Sequence, residues 1–159
     1  MTEPFQSQVE RQVTRLQSES WEEIERQVAQ KRVAWLRENS QAARLRTDLG
    51  AHPSPRQAFE LLFFEYMRLS PTDLVVISET PVEIVWRSQN PCPTLEAAQR
   101  LGLDTRLVCR EVYQRSTQAF LSELDSQLRF SRSYEEIRPY ATYCLERIIR
   151  VSVDERDTR

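Results

Sequence analysis

Apolar residues recur at three- and four-residue steps through the first third of the chain, as Phe5, Val9, Val13 and Leu16, then Trp21, Ile24 and Val28, then Leu36. That spacing places them along one face of a helix. Between Pro4 and about residue 48 there is no further proline and no glycine, so a long helical region is expected. A break is expected near Ser18 to Ser20, because Ser20-Trp-Glu-Glu23 has the order of a capping box. The stripe is narrow and its flanks are charged, with Glu22, Glu23, Glu25 and Arg26 in the middle and Arg44 and Arg46 near the finish. Such helices need a surface to lie on, either their own domain or a partner chain. The heptad repeat is not sustained long enough to favour a coiled coil.

Gly50-Ala-His-Pro-Ser-Pro55 is the clearest interruption, with Ser54 as cap and Pro55 opening a helix over 55–69. Ala58, Phe59, Leu61, Leu62, Phe63, Phe64, Tyr66, Met67 and Leu69 leave this helix almost no polar face, which makes it central. Leu74–Ser78 and Val82–Arg87 are rich in β-branched residues around the short turn Glu79-Thr-Pro81, an antiparallel hairpin. A helix from Pro93 should stop at Gly102, and Asp104 should cap a longer one from Thr105 to about Leu124, interrupted near Ser116. Its buried side would carry Leu107, Val108, Val112, Phe120, Leu121 and Leu124. Gln127–Ser131 reads as a third strand, Ser133–Glu136 as a helical turn and Thr142–Val153 as a last strand. Alternation on that strand sets Tyr143, Leu145, Ile149, Val151 and Val153 against a more polar face of Thr142, Cys144, Glu146, Arg150 and Ser152. The expected fold is α+β: a small antiparallel sheet of three to four strands with helices packed on one face, preceded by the long N-terminal helical region. The parts would be a helical extension at 1–49, the α+β domain at 50–154 and a frayed tail at 155–159.

A chain of 159 residues, 40% apolar and 29% charged, fits one ordinary domain with an extension, and no stretch is apolar enough for a membrane span. The start Met-Thr-Glu-Pro-Phe-Gln-Ser lacks the pattern of a signal peptide, so a cytoplasmic or similarly reducing setting is expected, with the three cysteines as thiols. A net charge of −2 argues against a nucleic-acid partner. Of 22 basic residues only Lys31 is a lysine. Arginine offers planar forks for carboxylates and phosphates, although a gene rich in G and C produces the same bias.

The strongest chemical signal is Ser88-Gln-Asn-Pro-Cys-Pro-Thr-Leu-Glu96. Pro93 suits a first helical position, which makes Cys92 the N-cap, beside free backbone donors and the positive end of the helix dipole. A thiolate would be favoured there, and Cys92 is the candidate nucleophile. A base is scarce, since His52 is the only histidine. Glu96, Asp104, Arg106, Arg138 and Tyr140 are the candidate ligand-binding residues, Arg138 and Tyr140 flanking Pro139 in a loop able to meet the Cys92 loop. Asp104 is most simply a helix cap, and Cys109 most simply a core residue. Cys92, Cys109 and Cys144 are separated by gaps of 17 and 35 residues, unlike the close pairs of a zinc site, so no metal is assigned and these three are its weak candidates, with His52 able to supply a fourth ligand only from a loop between helices. With Gly50 and Gly102 as the only glycines, a phosphate-cradling loop is excluded.

From Val82 to about Ile149 the chain runs through a strand, Asn90-Pro-Cys-Pro-Thr-Leu-Glu-Ala-Ala98, Leu101-Gly-Leu-Asp-Thr-Arg106, Cys109, Ser133-Tyr-Glu-Glu-Ile-Arg-Pro-Tyr140 and Cys144. In this order it resembles the L-2-amino-thiazoline-4-carboxylic acid hydrolase-like family, over less than half its length. The resemblance implies that Cys92, Cys109 and Cys144 match that family's recurrent cysteines, while Ala98 stands where relatives often place another. Two functions follow as expectations. One is a cytoplasmic accessory or binding protein with a small-ligand pocket or a protein-docking face, its N-terminal helices mediating association with a protein partner or a second copy. The other is a cysteine-dependent hydrolase of a small amide-like or cyclic substrate. The cofactor is left unknown.

Overall fold

A computed structural model describes residues 3–47 and 52–152, without the side chains of residues 46 and 47. Gly50, the expected boundary at 49–50 and the tail at 155–159 lie outside the described residues. Helix α1 spans Phe5–Ser18 and α2 Trp21–Glu38, and the Ser20 hydroxyl accepts the Glu23 N–H at the break between them. The Glu23 carboxylate turns to Arg26 rather than back to the cap. A short α3, Ser40–Thr47, follows Asn39.

Helix α4, Pro55–Phe59, opens with a reciprocal capping box between Ser54 and Gln57 and then winds on as a π-helix through Glu60–Tyr66. After a short turn at Pro71–Asp73 come strands β1, Leu74–Thr80, and β2, Glu83–Ser88. Helix α5 is Pro93–Arg100, and Gly102 beyond it adopts φ +66°, the left-handed conformation that glycine takes without strain. Asp104 caps α6, Thr105–Val108, which passes through a second π segment, Cys109–Gln114, into α7, Arg115–Leu124. The interruption therefore precedes Ser116. Leu107 is 46% exposed rather than buried, because Thr105 and Val108 take the inward side of α6. Strands β3, Leu128–Arg132, and β4, Cys144–Arg150, complete the sheet. The stretch over 133–143 forms bends held by the Ser133 hydroxyl, which accepts the Glu135 and Glu136 N–H groups, instead of a helical turn.

The sheet is four-stranded and antiparallel in the order β1-β2-β4-β3, and helices cover one face of it. The covered face carries Ile84, Trp86 and Ser88 from β2, Leu128 and Phe130 from β3, and Glu146 and Ile148 from β4. Trp86 sits at its centre, 4.7 Å from Phe59 and 5.1 Å from Phe63 between ring centroids. The faces of β4 are thus the reverse of those expected from its alternation: Cys144, Glu146 and Ile148 look inward, and Leu145, Arg147 and Ile149 look out. Ile148 fixes this register as a fully buried residue, and Glu146 follows it inside because Arg132 stands opposite on β3.

The N-terminal helices are built into this body. Helix α1 lies along α5, and α2 lies along α7. Val9, Leu16 and Ile24 form a second core with Ala97, Ala98, Val108 and Val112, while Leu36 joins the main core on the sheet. The apolar stripe is used inside the chain. Among the described residues no helix is long and apolar enough to cross a membrane.

Candidate functional site

Cys92 is the N-cap of α5 with Pro93 behind it, and its sulfur accepts the Leu95 N–H at 3.4 Å. The dipole does not prevail over burial, however. Burial pushes the Cys92 thiol up, and the Leu95 N–H and Arg138 only partly oppose it. The favoured thiolate expected of a helix entrance is therefore replaced by a protonated thiol. Cys109, at the start of the second π segment, is pushed up to about 12, again by burial.

The three sulfurs converge. Cys92, Cys109 and Cys144 line one cavity of about 20 Å3, closed by Leu95, Val108 and Ile137. It adjoins a larger chamber of about 240 Å3 between the helices and the sheet, which all three cysteines also line. A volume of about 240 Å3 is many times what one water needs and is room for a small organic molecule. Phe63, Met67 and Leu69 supply an apolar wall, and Arg32, Arg132, Arg138 and Glu146 supply charge. Both π segments border it, the first through Phe63 and the second through Cys109 and Tyr113. Wide π turns of this kind are frequent at functional sites.

Each charged group arrives from a different element. Arg32 of α2 is 6% exposed, and its Nη1 donates to Thr117 Oγ1 at 2.7 Å and to Ser116 Oγ at 3.3 Å. Arg132 ends β3 and faces Glu146 of β4, with Nη2 3.7 Å from Oε1 and side chains 11% and 6% exposed. Burial is the largest single influence on Arg132 and opposes its charge, but Glu146 together with Cys109, Cys144 and Tyr134 outweighs it and raises its pKa. Arg138 reaches in from the loop, donating from Nη1 to the Asn90 carbonyl at 2.6 Å and from Nε to Cys144 Sγ at 3.4 Å. Three buried N–H positions, Arg32 Nε and Arg132 Nε and Nη1, find no acceptor among the described residues.

Of the residues expected to bind a ligand, Arg138 enters the chamber. Glu96 lies on an open groove outside it, shared with Phe5, Cys92 and Arg138, and pairs with Arg100 at 2.7 Å. Asp104, Arg106 and Tyr140 do meet one another, but on the surface and fully occupied. Arg106 binds the Asp104 carboxylate at 3.0 Å, the Tyr140 hydroxyl donates to it at 3.1 Å, and the guanidinium lies 4.2 Å over the Tyr140 ring. That arrangement holds the Asp104 carboxyl at about 2, through Arg106 first and Tyr140 later. His52 sits elsewhere, 3.1 Å from Asp125, which also holds Arg150 at 3.2 Å. Arg150 and Cys144 are opposite ends of β4, about 20 Å apart at about 3.3 Å per residue.

Sequence reasoning missed Arg32, Arg132 and Glu146. A signal for Arg32 exists in the stripe itself. Val28 and Leu36 are eight residues apart, and the missing step of four between them falls on Arg32. Among the described residues no group of three His, Cys, Asp or Glu side chains is disposed to hold a metal ion. The chain matches no family model, no curated protein and no solved structure.

Proposed function

We propose that the chain is a small-ligand binding protein of a reducing compartment such as the cytoplasm, with the chamber between helices and sheet as its binding site. The observation that carries this is a cavity of about 240 Å3 inside a four-stranded domain whose remaining core is filled by large side chains. It combines an apolar wall with a few converging polar groups, the composition of a ligand pocket. Three free thiols suit the compartment. Association through the N-terminal helices has less support, because their apolar stripe is spent on α5 and α7. The hydrolase reading is also the weaker one: Cys92 is held protonated, and His52 lies at the far end of β4.

Saturation-transfer NMR with a library of small organic fragments tests the reading, comparing the full chain with Met67→Trp, which projects an indole into the chamber. The expected result is a set of fragments that compete for one site and are lost in Met67→Trp while its thermal unfolding midpoint is retained. Absence of any binder, or equal binding by the variant, overturns it.

A further inference from the structure

The chamber has an electrostatic imbalance that points to the kind of molecule it accepts. Three guanidiniums, from Arg32, Arg132 and Arg138, border it against the single carboxylate of Glu146. Arg138 is occupied by the Asn90 carbonyl and the Cys144 sulfur. Arg32 and Arg132 are different. Arg32 has hydroxyl partners, Ser116 and Thr117 with the Tyr66 phenol beside them, and no carboxylate among the described residues pairs with it. Arg132 has Glu146, but at a separation longer than a hydrogen bond. Arg32 keeps one buried nitrogen, and Arg132 two, without an acceptor among the described residues, and the two guanidiniums are near enough to repel each other. Cations held together away from water are costly unless an anion lies between them.

Resting on the pocket reading, we propose that the chamber is an anion site: the oxyanion head of a small organic acid lies against the guanidiniums of Arg32 and Arg132, which both line it, while its apolar body packs on Phe63, Met67 and Leu69. Charge-assisted bonds from guanidinium to oxyanion are among the strongest that a side chain forms, and arginine makes them with geometric selectivity. The apolar wall sets the second requirement, a body without charge. The neutral thiols of Cys92 and Cys109 add polarisable surface and no competing negative charge. Carboxylates and phosphonates share the head chemistry, and the experiment separates them.

Benzoate, phenylphosphonate, the neutral isostere benzamide and the cation benzylamine are titrated into the full chain by calorimetry. The same titrations are made with Arg32→Met and Arg132→Lys. Arg32→Met removes one cation and leaves Ser116 and Thr117 satisfied, because both hydroxyls also donate to the Tyr113 carbonyl. Arg132→Lys keeps a positive partner for Glu146 but loses the planar donors. At least one of the two anions is expected to bind at least tenfold tighter than benzamide, with benzylamine excluded. The preferred head, carboxylate or phosphonate, names the ligand class. Each variant is expected to weaken that anion at least tenfold and benzamide less than twofold. Benzamide binding as tightly as both anions, or undiminished anion affinity in both variants, overturns the anion assignment and leaves the pocket reading standing. Failure of all four probes overturns the anion assignment, and the pocket reading is then decided by the fragment library.

Discussion

Glu146→Gln is the most informative single change, because it alters one oxygen and almost no volume. In the wild type the Glu146 carboxylate stands 3.7 Å from Arg132 with both side chains nearly sealed from solvent. The amide still fills the space but carries no charge, so Arg132 is left buried beside Arg32 without a countercharge. Removing one partner of a buried ion pair costs about 3–5 kcal/mol. Against a total stability of about 5–15 kcal/mol for a domain, that is a large fraction. With a urea dependence of about 2 kcal/mol per molar, the unfolding midpoint should fall by about 1.5–2.5 M. The assay is urea denaturation followed by Trp fluorescence, with Trp86 in the main core as one reporter. The double change Glu146→Leu with Arg132→Met removes both charges together and should recover most of the loss, since apolar replacement of a buried pair is often neutral or stabilising. A midpoint shift below about 0.5 M for Glu146→Gln, which corresponds to about 1 kcal/mol, would refute the reasoning.

Further predictions concern the thiols and the packing. Cys109 is held near 12 against 9.0 for an ordinary thiol, so the unfolded chain loses that proton first. Stability should be complete below pH 9 and decline by about 1.4 kcal/mol per pH unit between 9 and 12 for each such thiol; a flat profile by urea unfolding over pH 8 to 10.5, or an unchanged slope in Cys109→Ala, contradicts this. Iodoacetamide at pH 8 should label Cys92 more slowly in the native chain than in 6 M urea, as read by peptide mass spectrometry, and native labelling at least as fast would show a thiolate instead. Val9→Asp places a charge between α1 and α5 where Val9 is fully buried; it should cost more than about 3 kcal/mol in urea unfolding, whereas a helical extension that is not part of the core would tolerate it. Phe59→Ala empties space against Trp86 and Phe63 and should cost about 3–5 kcal/mol, read as a lowered thermal midpoint.

Where local chemistry governs structure, the sequence was readable. The caps at Ser20, Ser54, Cys92 and Asp104, the stop at Gly102 and the β1-β2 hairpin all appear where residue type and spacing put them. The α+β architecture with helices on one sheet face follows from those elements. The site was less legible for a common physical reason. Alternation and periodicity assume that polar residues face water, and a polar chamber inside the protein violates that assumption. Glu146 and Cys144 consequently gave β4 its inverted faces, and Arg32 read as a gap in the stripe of α2. The thiol of Cys92 shows the same limit in electrostatics, since its position as a cap was visible but its burial was not.

The two π segments have a consequence for how such a hollow arises. A π winding closes its hydrogen bonds over five residues, as Met67 N–H does to the Leu62 carbonyl at 2.9 Å, and so accommodates one more residue than the α form. Deleting a single residue within Glu60–Tyr66 or Cys109–Gln114 would let that coil tighten to the narrower α form while the helix beyond keeps nearly the same facing, whereas the same deletion in a regular α-helix turns everything downstream by about 100°. The interior room is in that sense written in chain length rather than in side-chain bulk. A one-codon deletion there would close it as a bulky side chain at Met67 would, without changing any residue that lines it.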